Sequence, residues 1–153
     1  MAMVRTEING LKSREVIDYL GLAAHPEGGH FREVYRHRPD GGGRGWITTI
    51  YYLLAAGEVS HWHRIDADEV WHFYAGAPLM LSICGPDEEK RDTVLGTDLQ
   101  GEERPVSVVP AGYWQSARSH GSWTLVGCTV APAFEFGGFE LAPPDWTPSG
   151  ETR

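Results

Sequence analysis

Apolar and polar positions alternate in short runs along most of this chain, and one stretch alone carries helical spacing. In that stretch Val16, Ile17 and Leu20 form an apolar stripe, Ser13 is placed to cap the start, and Glu15 lies in the first turn. Gly21 can take the left-handed position that ends a helix, with Leu22 folding back onto it. After it come runs rich in Val, Ile, Tyr, Trp, Phe and Thr, which predict strands. They fall near His30–Arg36, Trp46–Leu54, Val59–His63, Glu69–Tyr74, Leu79–Cys84, Thr93–Gly96, Val106–Val109, Trp114–Ala117, Ser122–Ala131 and Phe134–Leu141. Gly, Pro, Asp and Asn punctuate them, as at Gly76 to Pro78 and Pro110 to Gly112. The connections are too short for the crossover helices that parallel strands need, so the pattern reads as an antiparallel sandwich or barrel. Arg38–Gly45 reads as a Gly-rich mobile loop, and no Lys-Ser/Thr follows it, so a phosphate-loop reading fails. Residues 143–153 read as an extended tail, with Trp146 a candidate to pack back.

Composition changes little in this picture but removes several functions. The chain has 153 residues, enough for one domain with its own core. Its formal net charge of −8, from 21 acids against 13 Lys and Arg, opposes a phosphate backbone and an anionic membrane alike. No run approaches the roughly 18 apolar residues of a membrane span. Cys84 and Cys128 lie in apolar or β-branched runs and form no Cys-x-x-Cys pair, so both read as buried thiols. With no signal-like start, the expected location is cytoplasmic.

Chemistry concentrates in residues 57–76, GEVSHWHRIDADEVWHFYAG. His61 and His63 are two apart, which on a regular strand puts both imidazoles on one face. Glu69 opens the next strand and can reach the same spot if the two pair antiparallel. Two imidazoles and a carboxylate can hold one divalent metal ion with open positions, or grip a polar ligand. In VVPAGYWQSA, Gln115 follows a Pro-x-Gly turn and is a candidate fourth ligand or substrate contact. Trp71 and Phe73 share parity with Glu69 and should line the same interior, where core packing and a ligand wall are both open readings. Phe31, Glu33 and Tyr35 form one face of an early strand, with Glu33 a candidate proton-transfer group and Phe31 and Tyr35 candidate ligand contacts. Ser60, Arg64, Asp68 and His72 have the opposite parity and are expected outside.

The first of these segments resembles the first cupin motif: a glycine, His-x-His, a glutamate, six residues and a glycine, with Glu69 and Gly76 at that last spacing. The second resembles the Pro-x-Gly-x-x-His motif, with Gln115 where the pattern has histidine. HPEGGHFREVYR, DEVWHFYAGAPL, VPAGYWQSA and FEFGGFELA are more narrowly similar to a small bacterial and fungal cupin-like subfamily of unknown function. The resemblance implies an all-β, antiparallel double-stranded β-helix, the cupin jelly roll, over residues 13–142, with one short N-terminal helix and a lead-in over 1–12. It also implies that the His25–Glu27 loop closes over the pocket mouth, and that the protein is a homodimer. The function expected is that of an enzyme on a small polar metabolite, sugar or nucleotide-sugar-like, working as an epimerase or isomerase. In one version His61, His63, Glu69 and Gln115 hold a divalent metal; in the other a histidine of the pair is the general base. The alternatives are a binding module with the same pocket and, less in keeping with three ionisable groups, a storage protein.

Overall fold

A computed structural model of the protein describes residues 4–148. A 3-10 turn at Ile8–Gly10 leads into α1 (Ser13–Leu20), followed by strands β1 (Ala23–Ala24), β2 (His30–Arg36), β3 (Thr48–Ala55), β4 (Val59–Ile65) and β5 (Asp68–Gly76). The chain continues through β6 (Leu79–Cys84), β7 (Arg91–Leu95), β8 (Val106–Val109), β9 (Trp114–Ser119), β10 (Trp123–Ala131) and β11 (Phe139–Leu141). One sheet has the order β1-β2-β3-β10-β5-β8 and the other β11-β4-β9-β6-β7, and every pairing between these strands is antiparallel. Consecutive strands β4 and β5 therefore lie in different sheets, as does the β9–β10 pair. This alternation closes the two sheets into a jelly roll.

Inward-facing residues of both sheets make the core: Tyr52, Leu54, Trp71, Leu79, Leu81, Ile83, Val109, Val126 and Cys128 are all buried. The opposite parity of β3 and β10 turns Leu53 and Leu125 outward, where Val16 of α1 and Leu22 cover them. Burying a Leu or Val side chain contributes roughly 1.5–3 kcal/mol each, so this outer cluster is ample reason for the short helix to form. The N-cap is Lys12 rather than Ser13, which is the first helical residue: the Lys12 backbone N–H donates to the Glu15 carboxylate at 3.0 Å. It ends as expected, with Gly21 at φ 65° and Leu22 N–H donating to Ile17 C=O at 2.9 Å.

Two expectations need correction. The run Phe134–Leu141 is not one strand, because the consecutive glycines Gly137 and Gly138 turn it through a 3-10 turn at Phe136–Gly138 and leave only β11. The loop Arg38–Gly45 is tied down at its end, where Arg44 makes a bidentate pair with Asp66 at 2.7 and 3.0 Å and donates to Ala133 C=O at 2.8 Å. The tail does pack back: the Trp146 ring lies 4.4 Å from that of Trp114, between ring centres, and residues 149–153 lie outside the described part. Both thiols are buried and free, and among the described residues no helix is long and apolar enough to cross a membrane.

Candidate functional site

Three strands carry an extra residue, β2, β4 and β5, and the bulges in β4 and β2 decide which side chains face the cavity. In β4, Ser60 pairs Ala117 while His63 pairs Gln115, so three steps on β4 match two on β9. Side-chain direction inverts across such a bulge. Ser60 and His63 both point in and are buried, and His61 is turned out. Its Nε2 lies 2.8 Å from Pro143 C=O, on the tail. The expected convergence of His61 and His63 on one point is therefore corrected: the two do not share a face. In β2, Glu33 pairs Ile50 and Tyr35 pairs Thr49, so the extra residue there again inverts parity. Phe31 and Glu33 face the cavity as expected, but Tyr35 is exposed and Arg36 takes the inward place.

The cavity has about 60 Å³ of free volume, room for a few waters or a small ligand at roughly 10–15 Å³ per water. Its polar lining is His25, Glu27, Glu33, Arg36, Thr48, His63 and Glu69, and its apolar wall includes Phe31, Ile50, Ile65, Phe134, Phe136 and Phe139. His63 comes from the five-stranded sheet and Glu69 from the six-stranded one, so they approach from opposite walls. The loop before β2 supplies His25 and Glu27, so it does close on the pocket. That loop returns through Gly28 and Gly29, at φ 110° and 75°; a Cβ on Gly28 would stand 2.1 Å from Val59 C=O. Only glycine permits this approach of the loop to β4, and it seats Glu27 between His25 and His63.

Hydrogen bonds then fix Glu27. Its Oε2 lies 3.0 Å from His63 Nδ1 and accepts from the Ser60 hydroxyl; its Oε1 is 3.3 Å from His25 Nδ1. The Tyr52 hydroxyl donates to Gly28 C=O and holds the turn. His63 Nδ1 is also 2.7 Å from His61 C=O. Facing two oxygens, Nδ1 carries the proton in the neutral ring, which leaves the lone pair on Nε2. His25 has the other tautomer, because its Nδ1 accepts from Glu27 N–H at 3.1 Å.

Burial sets the charges. It pushes the Glu27 carboxyl up to about 8, against the Ser60 hydrogen bond. It pushes Glu69 up to about 7, against the pull of His63 and with the help of Glu27. It lowers His63, which Glu69 partly counteracts, and brings His25 down to about 4, assisted by His63. The Cys128 thiol on the wall is raised well above its ordinary value for the same reason. Desolvation disfavours every charged form here, so the cluster holds its groups near neutrality.

Gln115 has a different place from the expected one, and for Trp71 the core-packing reading holds. Both are buried beneath the cavity instead of lining it, and Trp71 Nε1 donates to Gln115 Oε1 at 2.9 Å. Gln115 Nε2 finds no acceptor of regular geometry, although it lies near enough to Glu69 to favour the carboxylate. Phe73 packs against the core and does not line the cavity. The metal set expected from His61, His63, Glu69 and Gln115 does not fit: one imidazole is turned away and the amide oxygen is committed to an indole. Among the described residues no three His, Cys, Asp or Glu side chains are grouped to hold an ion. Sequence parity missed Glu27 and Arg36 as cavity groups and Ser60 as the hydroxyl that holds Glu27; the glycine pair after Glu27 was the available signal for the loop.

Residues 14–142 match the family model described as Cupin superfamily (DUF985). A protein of known structure from Shewanella oneidensis is 40% identical, with 86% of this chain and 85% of that chain covered and a TM-score of 0.82. A hypothetical protein from Leishmania major is 30% identical, with 86% and 88% covered and a TM-score of 0.79. Oxalate decarboxylase from Bacillus subtilis, at 13% identity with 77% of this chain and 29% of that chain covered and a TM-score of 0.62, shares the fold alone. None of the curated proteins matches the sequence.

Proposed function

The chain belongs to the DUF985 family of the cupin superfamily, and we propose that it is an enzyme that moves a proton on a small polar metabolite held in the barrel cavity. The observation that carries this reading is the meeting of Glu27, His63 and Glu69 in one enclosed, aromatic-walled space. Proton-transfer groups work best when their affinity for a proton lies near the working pH, and burial brings both carboxyls there. The imidazole of His63 offers its Nε2 lone pair as base, while Glu27 at Nδ1 fixes the ring's tautomer and favours the imidazolium as it forms. Glu69, whose strand belongs to the other sheet, would give or take a proton at the other face of the bound molecule. Opposed acid and base are what an epimerase or isomerase requires. This mechanism involves no metal, because the donor set expected for one is dispersed.

Incubation with a panel of small hydroxy-aldehydes, hydroxy-ketones and sugar acids in D2O tests the proposal. Proton NMR should show loss of signal at a carbon beside a carbonyl in one compound, and His63→Gln should abolish it. Should no compound exchange while one raises the melting temperature, the binding-module alternative is favoured instead.

A further inference from the structure

We infer that the cavity takes a small organic cation, with an ammonium group seated between the Glu27 and Glu69 carboxylates and against the phenylalanine wall. The inference deepens the proposed function, since it rests on the same cavity being a ligand site, and names the class of molecule it admits.

Three observations converge on a cation. First, Glu27 and Glu69 come from different parts of the chain and are buried together with no permanent positive charge committed to them. The titratable groups around them are His25, His63, Tyr52 and Cys128, all neutral at pH 7 or held so by burial. Second, Arg36 is the single Lys or Arg of the lining, and its charge is already met: Nε and Nη2 donate to the two oxygens of Glu33 at 2.9 Å each. An anionic ligand would find no free cation, and would face two carboxyls. Third, one wall is aromatic. The rings of Phe134 and Phe136 stand 5.0 Å apart at 82°, and those of Phe136 and Phe139 stand 6.0 Å apart at 80°. In each pair the edge of one ring meets the face of the other, so the rings stand as adjoining sides of a box, and aromatic boxes of this kind recognise organic cations. The wall and the carboxyls are independent features, yet both favour positive charge.

A neutral ligand would leave Glu27 protonated and Glu69 partly so, and would gain nothing from their charge. A cation would draw both into the carboxylate form and release protons as it binds, because their affinity for a proton is raised only while no counter-charge is present.

Isothermal titration of the full chain at pH 7 with ethanolamine, with choline and with 3,3-dimethylbutan-1-ol, the uncharged isostere of choline, tests this. At least one ammonium compound should bind, with choline or ethanolamine about tenfold or more tighter than the alcohol. The heat should vary with the ionisation enthalpy of the buffer, reporting released protons. Glu69→Gln should weaken binding by a similar factor. Phe136→Leu, at a ring that is 58% exposed, should weaken choline and leave the alcohol unchanged. Equal affinity for choline and the alcohol overturns the inference, as does a folded Glu69→Gln variant that binds as well as the parent, or no binding of either ammonium compound. Solvent exchange on a neutral or anionic metabolite sinks the cation and leaves the proton-transfer reading standing; ammonium binding with no exchange on any amine-bearing carbonyl compound does the reverse.

Discussion

His63 Nδ1 lies 3.0 Å from Glu27 Oε2, an imidazole from the five-stranded sheet against a carboxyl from the loop before β2. The contact depends on two backbone irregularities. A bulge in β4 turns His63 inward, and a glycine turn brings Glu27 down to meet it. Each is testable.

The bulge separates the two histidines in consequence. His63→Ala removes a buried ring that touches Glu27 and Phe139, and should destabilise the protein by about 2–4 kcal/mol while abolishing exchange. His61→Ala removes one contact to the tail and should cost about 1 kcal/mol or less, leaving exchange intact. Urea denaturation beside the NMR assay measures both; equal losses of activity would restore His61 to the site.

The glycine turn gives a second contrast. Gly28→Ala must force a Cβ against Val59 C=O at a positive φ, and should cost about 2–3 kcal/mol or more with loss of the Glu27 placement. Gly41→Ala has a similar φ of 85° but no neighbour within 4 Å, and should cost only about 1 kcal/mol. Denaturation midpoints of the two variants decide the matter.

Stability should fall as pH rises from 6.5 to 8. A carboxyl raised in the folded state binds more protons folded than unfolded, so its stabilisation is complete below about 4.5 and is lost as pH climbs through its folded value, about 7 for Glu69 and about 8 for Glu27. His25 and His63 are lowered, so their effect is the opposite and lies below 6.5. The slope in the upper window should approach about 1.4 kcal/mol per pH unit for each carboxyl still protonated in the fold. Melting curves of the parent and of Glu27→Gln across this range provide the check: the variant should be flatter, and an equal slope would remove Glu27 as the cause.

The homodimer implied by the family resemblance is a proposal with a definite surface. Tyr74, Val106 and Val108 are exposed on the outer face of the six-stranded sheet, beyond the part that α1 covers. If this face joins two copies, Val106→Glu with Val108→Glu should shift the protein to monomer in sedimentation equilibrium without changing its melting in dilute solution. An unaltered mass would place any interface elsewhere.

Strand positions were largely readable because runs of β-branched and aromatic residues between glycine and proline turns have few other ways to bury themselves. The span His30–Arg36, and those of β6 and β8, come out as the sequence pattern places them. Alternation also sends Glu69 and Trp71 inward on β5. Strict alternation fails at His61 and Tyr35, since a bulge is a property of the pairing between two strands and leaves no mark in either one alone.

From the sequence by itself came an antiparallel sandwich or barrel, which its likeness to cupins narrowed to a jelly roll, together with its net negative charge, the helix over Val16 to Leu20, and a pocket holding His63 and Glu69. The tertiary structure decided which histidine enters that pocket, the arrival of Glu27 and Arg36, and the near-neutral state of both carboxyls. The physical reason is one of range. Periodicity acts between neighbours along the chain, whereas hydrogen-bond register and desolvation arise only when distant segments are brought together.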